Sequence, residues 1–235
     1  MNGGLYNKKV KCPVCSKEFE VTKVKSNACK VASRDSDFCV YYEGINPIFY
    51  DIWVCEHCGY AAQGEKFDLI RPEEVKIILN NISAHWAKRS FAGERSVDMA
   101  LDAFKLALYN LQLRKGKQSD NARVCIRIAW LYRIKQDDKE NDFLRFALRC
   151  YTDTYEKEKF PADKLDEYTC MYMIAELNRR VGNIEDSIKW FSRLVGSPEA
   201  RKNPALIENA REQYQIVKDA AKKMGRDVEG QAGNS

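Results

Sequence analysis

The pattern of apolar and polar positions divides the chain near residue 71. Before it, β-branched and aromatic residues occur in short stretches such as "EFEVTKVKS" and "DFCVYYEGINPIFYDIWVC", broken by turn-forming residues, which predicts short strands. After it, apolar residues recur with a helical period over about 150 residues. The sequence therefore predicts an α+β fold that is mostly α, with a small β-rich domain over residues 1–70 and a helical domain over residues 71–225.

The second part of the chain contains seven predicted helices separated by glycine, proline and charged runs. Pro72 is followed by two glutamates, which suit the first turn of a helix, and Gly182 suits the left-handed position just after a helix. The final residues, 226–235, have little apolar content and are predicted to form a disordered tail. The helices are expected at roughly 72–91, 96–114, 120–135, 140–158, 164–181, 184–195 and 203–224.

One pair of these helices resembles a tetratricopeptide repeat (TPR). In "MIAELNRRVGNIEDSIKWFSRLVGSP", small residues at Ala175 and Ser187 would let two antiparallel helices approach, and Phe191 would fill the next groove. Other helices repeat parts of this pattern at irregular intervals. We therefore expect a degenerate, TPR-like antiparallel array of about seven helices. The alternative is a helical bundle without a true repeat.

The composition is that of a soluble globular protein, with 31% charged and 45% apolar residues. No apolar run approaches the roughly 18 residues that span a bilayer, and the N-terminus has no apolar signal segment. We therefore expect a cytoplasmic location without a membrane segment. Thiols stay reduced in the cytoplasm, so nine cysteines that include two CxxC pairs favour metal binding over a disulfide framework.

The two CxxC pairs are Cys12 with Cys15 and Cys55 with Cys58, separated by 39 residues. Each pair can direct two thiolates to one side of a tight turn, and Zn²⁺ takes four such ligands in a tetrahedron. The sequence thus predicts one structural Zn²⁺ site. A redox dithiol is less favoured because neither pair has a thioredoxin-like context, and a catalytic zinc would need an open position.

Three other residues could replace one of these ligands. Cys29 and Cys39 stand alone, and burial as small apolar side chains is their default role. His57 lies between two predicted ligands and is expected to point outward. Three further cysteines lie at predicted helical core positions and are expected to be structural: Cys125, Cys150 and Cys170.

A polar and aromatic cluster lies between the pairs. Its members are Arg34, Asp35, Asp37, Tyr41, Asn46, Pro47 and Tyr50. With "CPVC" before it and "CEHCGYA" after it, this stretch resembles the bacterial family catalogued as domain of unknown function 2225, over about residues 10–220. The resemblance implies a zinc ribbon followed by a TPR-like helical region, and it supplies no activity.

The two aspartates of this cluster allow two interpretations. Asp35 and Asp37 could hold a second cation or perform acid–base chemistry. Alternatively they cap a turn and pair with Arg34 or the basic N-terminus, while Asn46 and Pro47 form a turn. The chain has only two histidines and contains no HExxH motif, phosphate-binding glycine loop or serine–histidine–aspartate set. An enzymatic role is therefore not favoured, although it stays open.

In a TPR-like array the first helix of each pair lines a groove. The side chains placed there are His85, Arg89, Arg123, Trp130, Arg133, Tyr172, Glu176, Arg179 and Arg180. This set is basic with interleaved aromatics, which is typical of a surface that binds an acidic peptide or protein segment. The alternative places Trp130 in the core and the arginines on a solvated face.

The charge distribution bears on the choice among functions. Residues 1–34 carry a net charge of +6, whereas residues 35–74 carry −7, which argues against a uniform nucleic-acid surface. A protein-interaction scaffold is therefore the first hypothesis. The second is a nucleic-acid-binding zinc ribbon that contacts phosphates through Lys8, Lys9, Lys11, Lys23 and Lys25. The third is a zinc-dependent thiol switch.

Overall fold

The computed structural model describes residues 3–232, with side chains described from residue 3 to residue 223. The described chain contains six strands: β1 (Leu5–Lys11), β2 (Glu18–Val24), β3 (Cys29–Arg34), β4 (Val40–Gly44), β5 (Ile52–Val54) and β6 (Ala61–Gln63). It contains seven helices: α1 (Pro72–Asn81), α2 (Val97–Leu113), α3 (Gln118–Lys135), α4 (Lys139–Lys157), α5 (Glu167–Arg180), α6 (Ile184–Gly196) and α7 (Pro204–Ala232). The predicted class, mostly α with a small N-terminal β region, is confirmed.

The strands form three separate antiparallel hairpins. The first, β1–β2, closes with Lys11 opposite Glu18, and the third, β5–β6, closes with Val54 opposite Ala61. Each of these two hairpins carries one cysteine pair in its turn. The middle hairpin, β3–β4, occupies the long spacing between the pairs.

The chain forms two compact units. The first contains the residues up to Asp35 and Cys39–Phe143, and the second contains Ser36–Phe38 and the residues from Leu144 onward. The change from strand to helix does fall where composition places it, because α1 begins at Pro72. The first unit nevertheless continues through α1, α2 and α3, beyond the predicted domain boundary at residue 70.

The core of the first unit explains why it includes these helices. Ile52, Val54 and Ala61 of the third hairpin pack in one cluster with residues of α2 and α3, among them Phe104 and Ile128. A chain of about 60 residues buries only about 60% of the surface that its unfolded form exposes, so three short hairpins alone would be marginally stable. The helices supply the missing apolar surface.

In the second unit, α5 packs against α6 and α6 packs against α7. Ala175 and Ser187 are both fully buried, and the Ser187 hydroxyl donates to the Ala175 carbonyl at 2.9 Å. Phe191 is also fully buried. The small residues therefore lie where two helices approach closely, as the sequence pattern requires. The TPR-like repeat itself stays a prediction.

Helix α1 is shorter than predicted, because it ends at Asn81 rather than near residue 91. The chain leaves the helix there to bond to the second cysteine pair. The Ser83 hydroxyl donates to the Cys58 carbonyl at 2.9 Å, and the Trp86 indole donates to the Glu56 carbonyl at 2.8 Å. Tertiary hydrogen bonds have thus replaced the last helical turns.

Helix α7 is longer than predicted, and the disordered tail over residues 226–235 stays a prediction. The helix continues to Ala232, and residues 233–235 lie outside the described residues. No proline follows Pro204, and alanine, lysine, glutamate and glutamine, which favour helix, are frequent there. None of the described helices has both the length and the apolar content needed to cross a membrane.

The start of α1 is fixed by a buried carboxylate. Glu74 is 6% exposed; it accepts a hydrogen bond from the Arg71 amide at 3.0 Å and lies 3.3 Å from Nη1 of Arg114. Burial raises the pKa of Glu74, but the hydrogen bonds from Arg71 and the charge of Arg114 outweigh burial, and the net shift lowers this pKa. Glu74 therefore stabilises the folded state in its ionised form.

The variant Glu74→Gln tests this pH dependence. Because the pKa is lower in the folded state, the stabilisation is complete above the unfolded carboxyl pKa of about 4.3 and is lost as the pH falls through the folded value. At pH 7 we expect the variant to lose about 1–3 kcal/mol of unfolding free energy. Urea unfolding of both proteins at a series of pH values measures the difference, which should shrink towards zero in acid. A difference that grows in acid would contradict this assignment.

Candidate metal centre

The two cysteine pairs share one backbone conformation. In each turn, the amide of the first cysteine donates to the carbonyl five residues later, at 2.9 Å for Cys12 and 2.8 Å for Cys55. In each, the carbonyl of that cysteine accepts from the amide four residues later, at 2.9 Å. That fourth residue has a positive φ in both turns, 60° at Ser16 and 73° at Gly59. Two equivalent loops therefore present their sulfurs in the same way.

These loops bring four sulfur atoms together. The Sγ atoms of Cys12, Cys15, Cys55 and Cys58 all lie within 4.8 Å of one another. The Cys12–Cys58 distance is 3.6 Å and the Cys15–Cys55 distance is 3.7 Å. A tetrahedron with metal–sulfur bonds of about 2.3 Å has edges of about 3.8 Å. The four predicted ligands are therefore placed so that they could hold a metal ion.

The thiols share protons within this cluster. Hydrogen bonds from Cys12 and Cys58 lower the pKa of the Cys55 thiol. The hydrogen bond between Cys12 and Cys55 raises the pKa of the Cys12 thiol. The hydrogen bond between Cys12 and Cys58 raises the pKa of the Cys58 thiol. A metal ion that binds all four sulfurs must displace the remaining protons.

The alternative ligands lie outside this group. Nε2 of His57 lies 3.1 Å from the Glu18 carbonyl oxygen, and Cys29 Sγ lies 3.9 Å from the Lys25 carbonyl oxygen. Cys39 is fully buried and is not a member of the cluster. Over residues 3–223, no second set of three or more histidine, cysteine or carboxylate groups is close enough to bind one ion.

An apolar layer surrounds the sulfurs. Cys12, Cys55 and Cys58 belong to a buried cluster that also contains Tyr60 and Phe67. The two rings are 4.9 Å apart, and the Tyr60 hydroxyl donates to the Phe67 carbonyl at 3.0 Å. This layer keeps water from most of the site, which favours a closed, inert metal centre.

Gly59 should be sensitive to the smallest substitution. Its φ is +73°, and a Cβ atom there would lie 2.6 Å from the Trp86 ring. Gly93 is a matched control, because its φ is +87° and a Cβ there would meet nothing within 4 Å. Gly93→Ala should cost about 1–2 kcal/mol for the backbone conformation alone. Gly59→Ala should cost about 1–3 kcal/mol more and weaken metal retention, as measured by urea unfolding and chelator competition. Equal losses in the two variants would contradict this packing.

The residues of the predicted polar cluster make separate contacts that stabilise the fold. In the first unit, Asp35 Oδ2 lies 2.7 Å from Arg133 Nη1 and accepts a hydrogen bond from the Tyr41 hydroxyl at 3.0 Å. Burial and this bond to Asp35 raise the pKa of Tyr41 to about 12. The partner of Asp35 is therefore Arg133 on α3 rather than the expected Arg34 or the basic N-terminus.

Asp37 has a different environment, within the second unit. The Ser36–Phe38 segment packs against α5: Asp37 is fully buried and lies 3.5 Å from Arg180. The Tyr172 hydroxyl donates to the Ser36 carbonyl at 2.7 Å, and the Phe38 ring centroid is 5.0 Å from that of Tyr172. The two aspartates thus have separate arginine partners, which supports the structural interpretation of the motif.

Glu176 completes this arrangement. It is fully buried, and its carboxylate accepts hydrogen bonds from Arg179 at 2.7 and 2.8 Å and from Arg180 at 2.8 Å. The Ser36 hydroxyl also donates to it at 2.7 Å. Two arginines therefore share one buried carboxylate and hold the Ser36–Phe38 segment against α5.

The remaining cluster residues form a turn. The Asn46 side chain accepts from the Ile48 amide at 3.0 Å and begins a 3-10 turn over Pro47–Tyr50, as predicted. The Tyr50 hydroxyl accepts from the amide of Arg95 at 3.1 Å.

Arg95 has a structural role that its sequence context does not signal. It is 4% exposed and donates to the carbonyls of Phe49 and Ile52 at 2.9 Å and of Phe91 at 2.8 Å. Burial lowers the pKa of Arg95 to about 10, so it remains charged at neutral pH. A lone arginine in the polar run "GERS" carries no periodic or spacing signal, which is why sequence reasoning missed it.

These pairings bear on the predicted basic groove, which stays a prediction. On α3, Arg123 lies 2.7 Å from Glu65, in addition to the Arg133–Asp35 pair. On α5, Arg179 and Arg180 pair with Glu176. The acidic residues that follow residue 34 thus supply counter-charges within each unit. The arginines thus have internal partners, with which a ligand in the groove would have to compete.

The other groove residues divide between core and surface. Tyr172 is fully buried, and Trp130 packs against the core of the first unit, which is the alternative that the sequence left open. His85 and Arg89 are exposed. The Arg89 guanidinium lies 5.5 Å from the Trp86 ring centroid and 3.4 Å from Asp102.

Comparison with known proteins identifies one family. A family model described as "Uncharacterized protein conserved in bacteria (DUF2225)" matches residues 5–217. The match includes both cysteine pairs and the Ser36–Phe38 segment, and it confirms the resemblance noted from the sequence. No curated protein and no solved structure matches the chain.

Proposed function

We propose that this chain, which belongs to the bacterial DUF2225 family, is a zinc-binding protein whose four clustered cysteines hold one structural Zn²⁺. The observation that carries the proposal is the set of four sulfurs at tetrahedral spacing, with edges of 3.6 and 3.7 Å. Four thiolates select a soft or borderline ion and favour Zn²⁺ or iron–sulfur chemistry. A single tetrahedron of this size suits one zinc ion.

The same geometry supports a structural role rather than a chemical one. Four protein ligands leave no position for a substrate or an activated water. Cys12 and Cys55 are fully buried, Cys58 is 3% exposed and Cys15 is partly exposed, so three of the four thiols lack the access that thiol exchange requires. In this proposal the ion joins the first and third hairpins and fixes the chain between them. A thiol switch is the less favoured alternative.

Metal analysis and cobalt substitution test the proposal. Purified protein should contain one zinc per chain, and Co²⁺ refolded into the apoprotein should give the intense visible absorption of a tetrahedral tetrathiolate. Mild peroxide should leave the zinc bound. Iron with inorganic sulfide, or the absence of any bound metal, would overturn the zinc assignment. Zinc release with disulfide formation would instead favour the thiol switch.

A protein-interaction role is the second proposal, with a cytoplasmic location. The buried Ala175–Ser187 contact supports an array of paired helices, an architecture that presents extended binding surfaces. An acidic partner would have to compete with the internal carboxylates or use the exposed Arg89. A fluorescent oligoglutamate peptide should bind, and Arg89→Ala should weaken it more than the control Lys88→Ala. If the peptide did not bind, the interaction role would be contradicted. Tight, salt-sensitive binding of an oligonucleotide would favour the nucleic-acid alternative.

A further inference from the structure

A cleft in the first unit lies apart from the cysteine cluster. It has a volume of about 410 Å³ and lies between the end of β2, the turn before β5, the end of β6 and one residue of α3. Small-molecule sites in proteins commonly enclose about 300–1,000 Å³. The cleft is therefore large enough for a small organic ligand.

Gln63 in the wall of this cleft has an unpartnered donor. The residue is 6% exposed, and its side-chain Nε2 is buried without a hydrogen-bond partner. Among the residues whose side chains are described, it is the single buried side-chain nitrogen or oxygen in this condition. An unsatisfied buried donor costs about 1–3 kcal/mol, so its presence in a native fold calls for an acceptor from outside the chain.

The charges that line the cleft leave one cation without a carboxylate. Asp51 pairs with Arg127 at 3.1 Å, and Glu65 pairs with Arg123 at 2.7 Å. Lys23 instead lies over the Trp53 ring, with Nζ at 5.9 Å from the centroid. Over residues 3–223, no carboxylate lies within ion-pair distance of Lys23. A ligand thus meets an ammonium group directly, and the buried Gln63 amide lies in the wall behind the cleft surface, so the two donors together suit an anionic oxygen once the Gln63 side chain turns toward it.

The rest of the wall is apolar. Pro47, Tyr50 and Trp53 line the cleft, and the Trp53 indole is held against the backbone of Gly64. A Cβ at Gly64 would lie 2.6 Å from the indole, so glycine is required for this approach. The indole therefore offers a fixed, flat surface beside the two polar donors.

We propose that this cleft binds a small organic carboxylate with an aromatic or aliphatic body. The carboxylate pairs with the Lys23 ammonium, and the Gln63 side chain, whose Nε2 is buried in the free protein, turns to donate a hydrogen bond to it, while the body packs against Trp53. Charge, the unpartnered donor and the apolar wall each match one part of such a molecule. The site is independent of the zinc proposal, because none of the four cysteines lines the cleft.

The probe for this site is 3-phenylpropionate, with its neutral amide, 3-phenylpropionamide, as the matched control. Saturation-transfer NMR on the full-length, metal-loaded protein should detect the acid at millimolar concentration and give little signal for the amide. Gln63→Leu and Lys23→Met should each weaken binding at least about tenfold, whereas Lys9→Met, which removes an exposed charge from β1, should not.

A stability measurement separates loss of binding from loss of folding. Without the probe, Gln63→Leu should be at least as stable as the wild type in urea, since it removes a buried donor that has no partner. A Gln63→Leu protein that binds the acid normally would overturn the proposal. So would equal signals for acid and amide, or no signal for the acid from protein whose metal content is intact.

Discussion

Cys55→Ser is expected to abolish metal binding and to unfold the first unit. Structural zinc sites contribute about 10–16 kcal/mol of apparent binding free energy, as much as the whole stability of a typical domain. Serine has the same shape as cysteine with a smaller terminal atom, and its hydroxyl is a poor zinc ligand at neutral pH. Cys55 is fully buried in one cluster with Cys12, Cys58 and Tyr60, so its loss removes one of the four ligands from the middle of the core around the site.

Cys55→Ser should unfold some helices and leave others intact. Helices α1, α2 and α3 belong to the same compact unit as the cysteine pairs, whereas α5, α6 and α7 belong to the other. Circular dichroism should therefore show partial loss of helix together with loss of the strands, rather than loss of the strands alone. Cys29→Ser is the control, because Cys29 lies outside the sulfur cluster. Full zinc stoichiometry in Cys55→Ser would show that the ligand set is wrong.

Glu176→Ala is expected to have the second largest effect. It removes the fully buried carboxylate that two arginines and the Ser36 hydroxyl share. Breaking a buried ion pair by removing one partner costs about 3–5 kcal/mol, because the remaining charges lose their compensation. The low end applies here, since Arg179 and Arg180 keep 24% and 18% of their side-chain surface exposed.

Urea unfolding measures this loss, and two further variants interpret it. Glu176→Gln keeps the size and some hydrogen bonds, so it should lose less than Glu176→Ala. Glu185→Ala, on the exposed first turn of α6, should change the unfolding free energy by less than about 0.5 kcal/mol. Equally small losses of unfolding free energy in Glu176→Ala and Glu185→Ala would show that the Glu176 network does not stabilise the fold.

The sequence predicted the features that depend on local spacing. Two residues between cysteines define a turn, and the turns at Cys12 and Cys55, each of which closes a hairpin, share one backbone conformation. Helical periodicity identified seven helices, and small residues at Ala175 and Ser187 identified one close helix pair. These signals lie within a few residues of each other, so neighbouring positions suffice to recognise them.

The features that the sequence did not predict depend on residues far apart in the chain. Ser36 meets Glu176 across 140 positions, and Arg133 meets Asp35 across 98. No pattern in one sequence indicates which acid will neutralise which arginine, so the internal partners of these arginines could not be predicted. The early end of α1 has the same origin, because Ser83 and Trp86 bond to the second cysteine turn.

X-ray absorption at the zinc edge of the purified protein tests the central claim most directly. The account predicts four sulfur neighbours at about 2.3 Å and no nitrogen or oxygen ligand. Replacing Cys29, Cys39 or His57 should leave that spectrum unchanged, because none of these residues belongs to the sulfur cluster. A shell with fewer than four sulfurs, or with a nitrogen or oxygen neighbour at about 2.0 Å, would contradict a closed structural site.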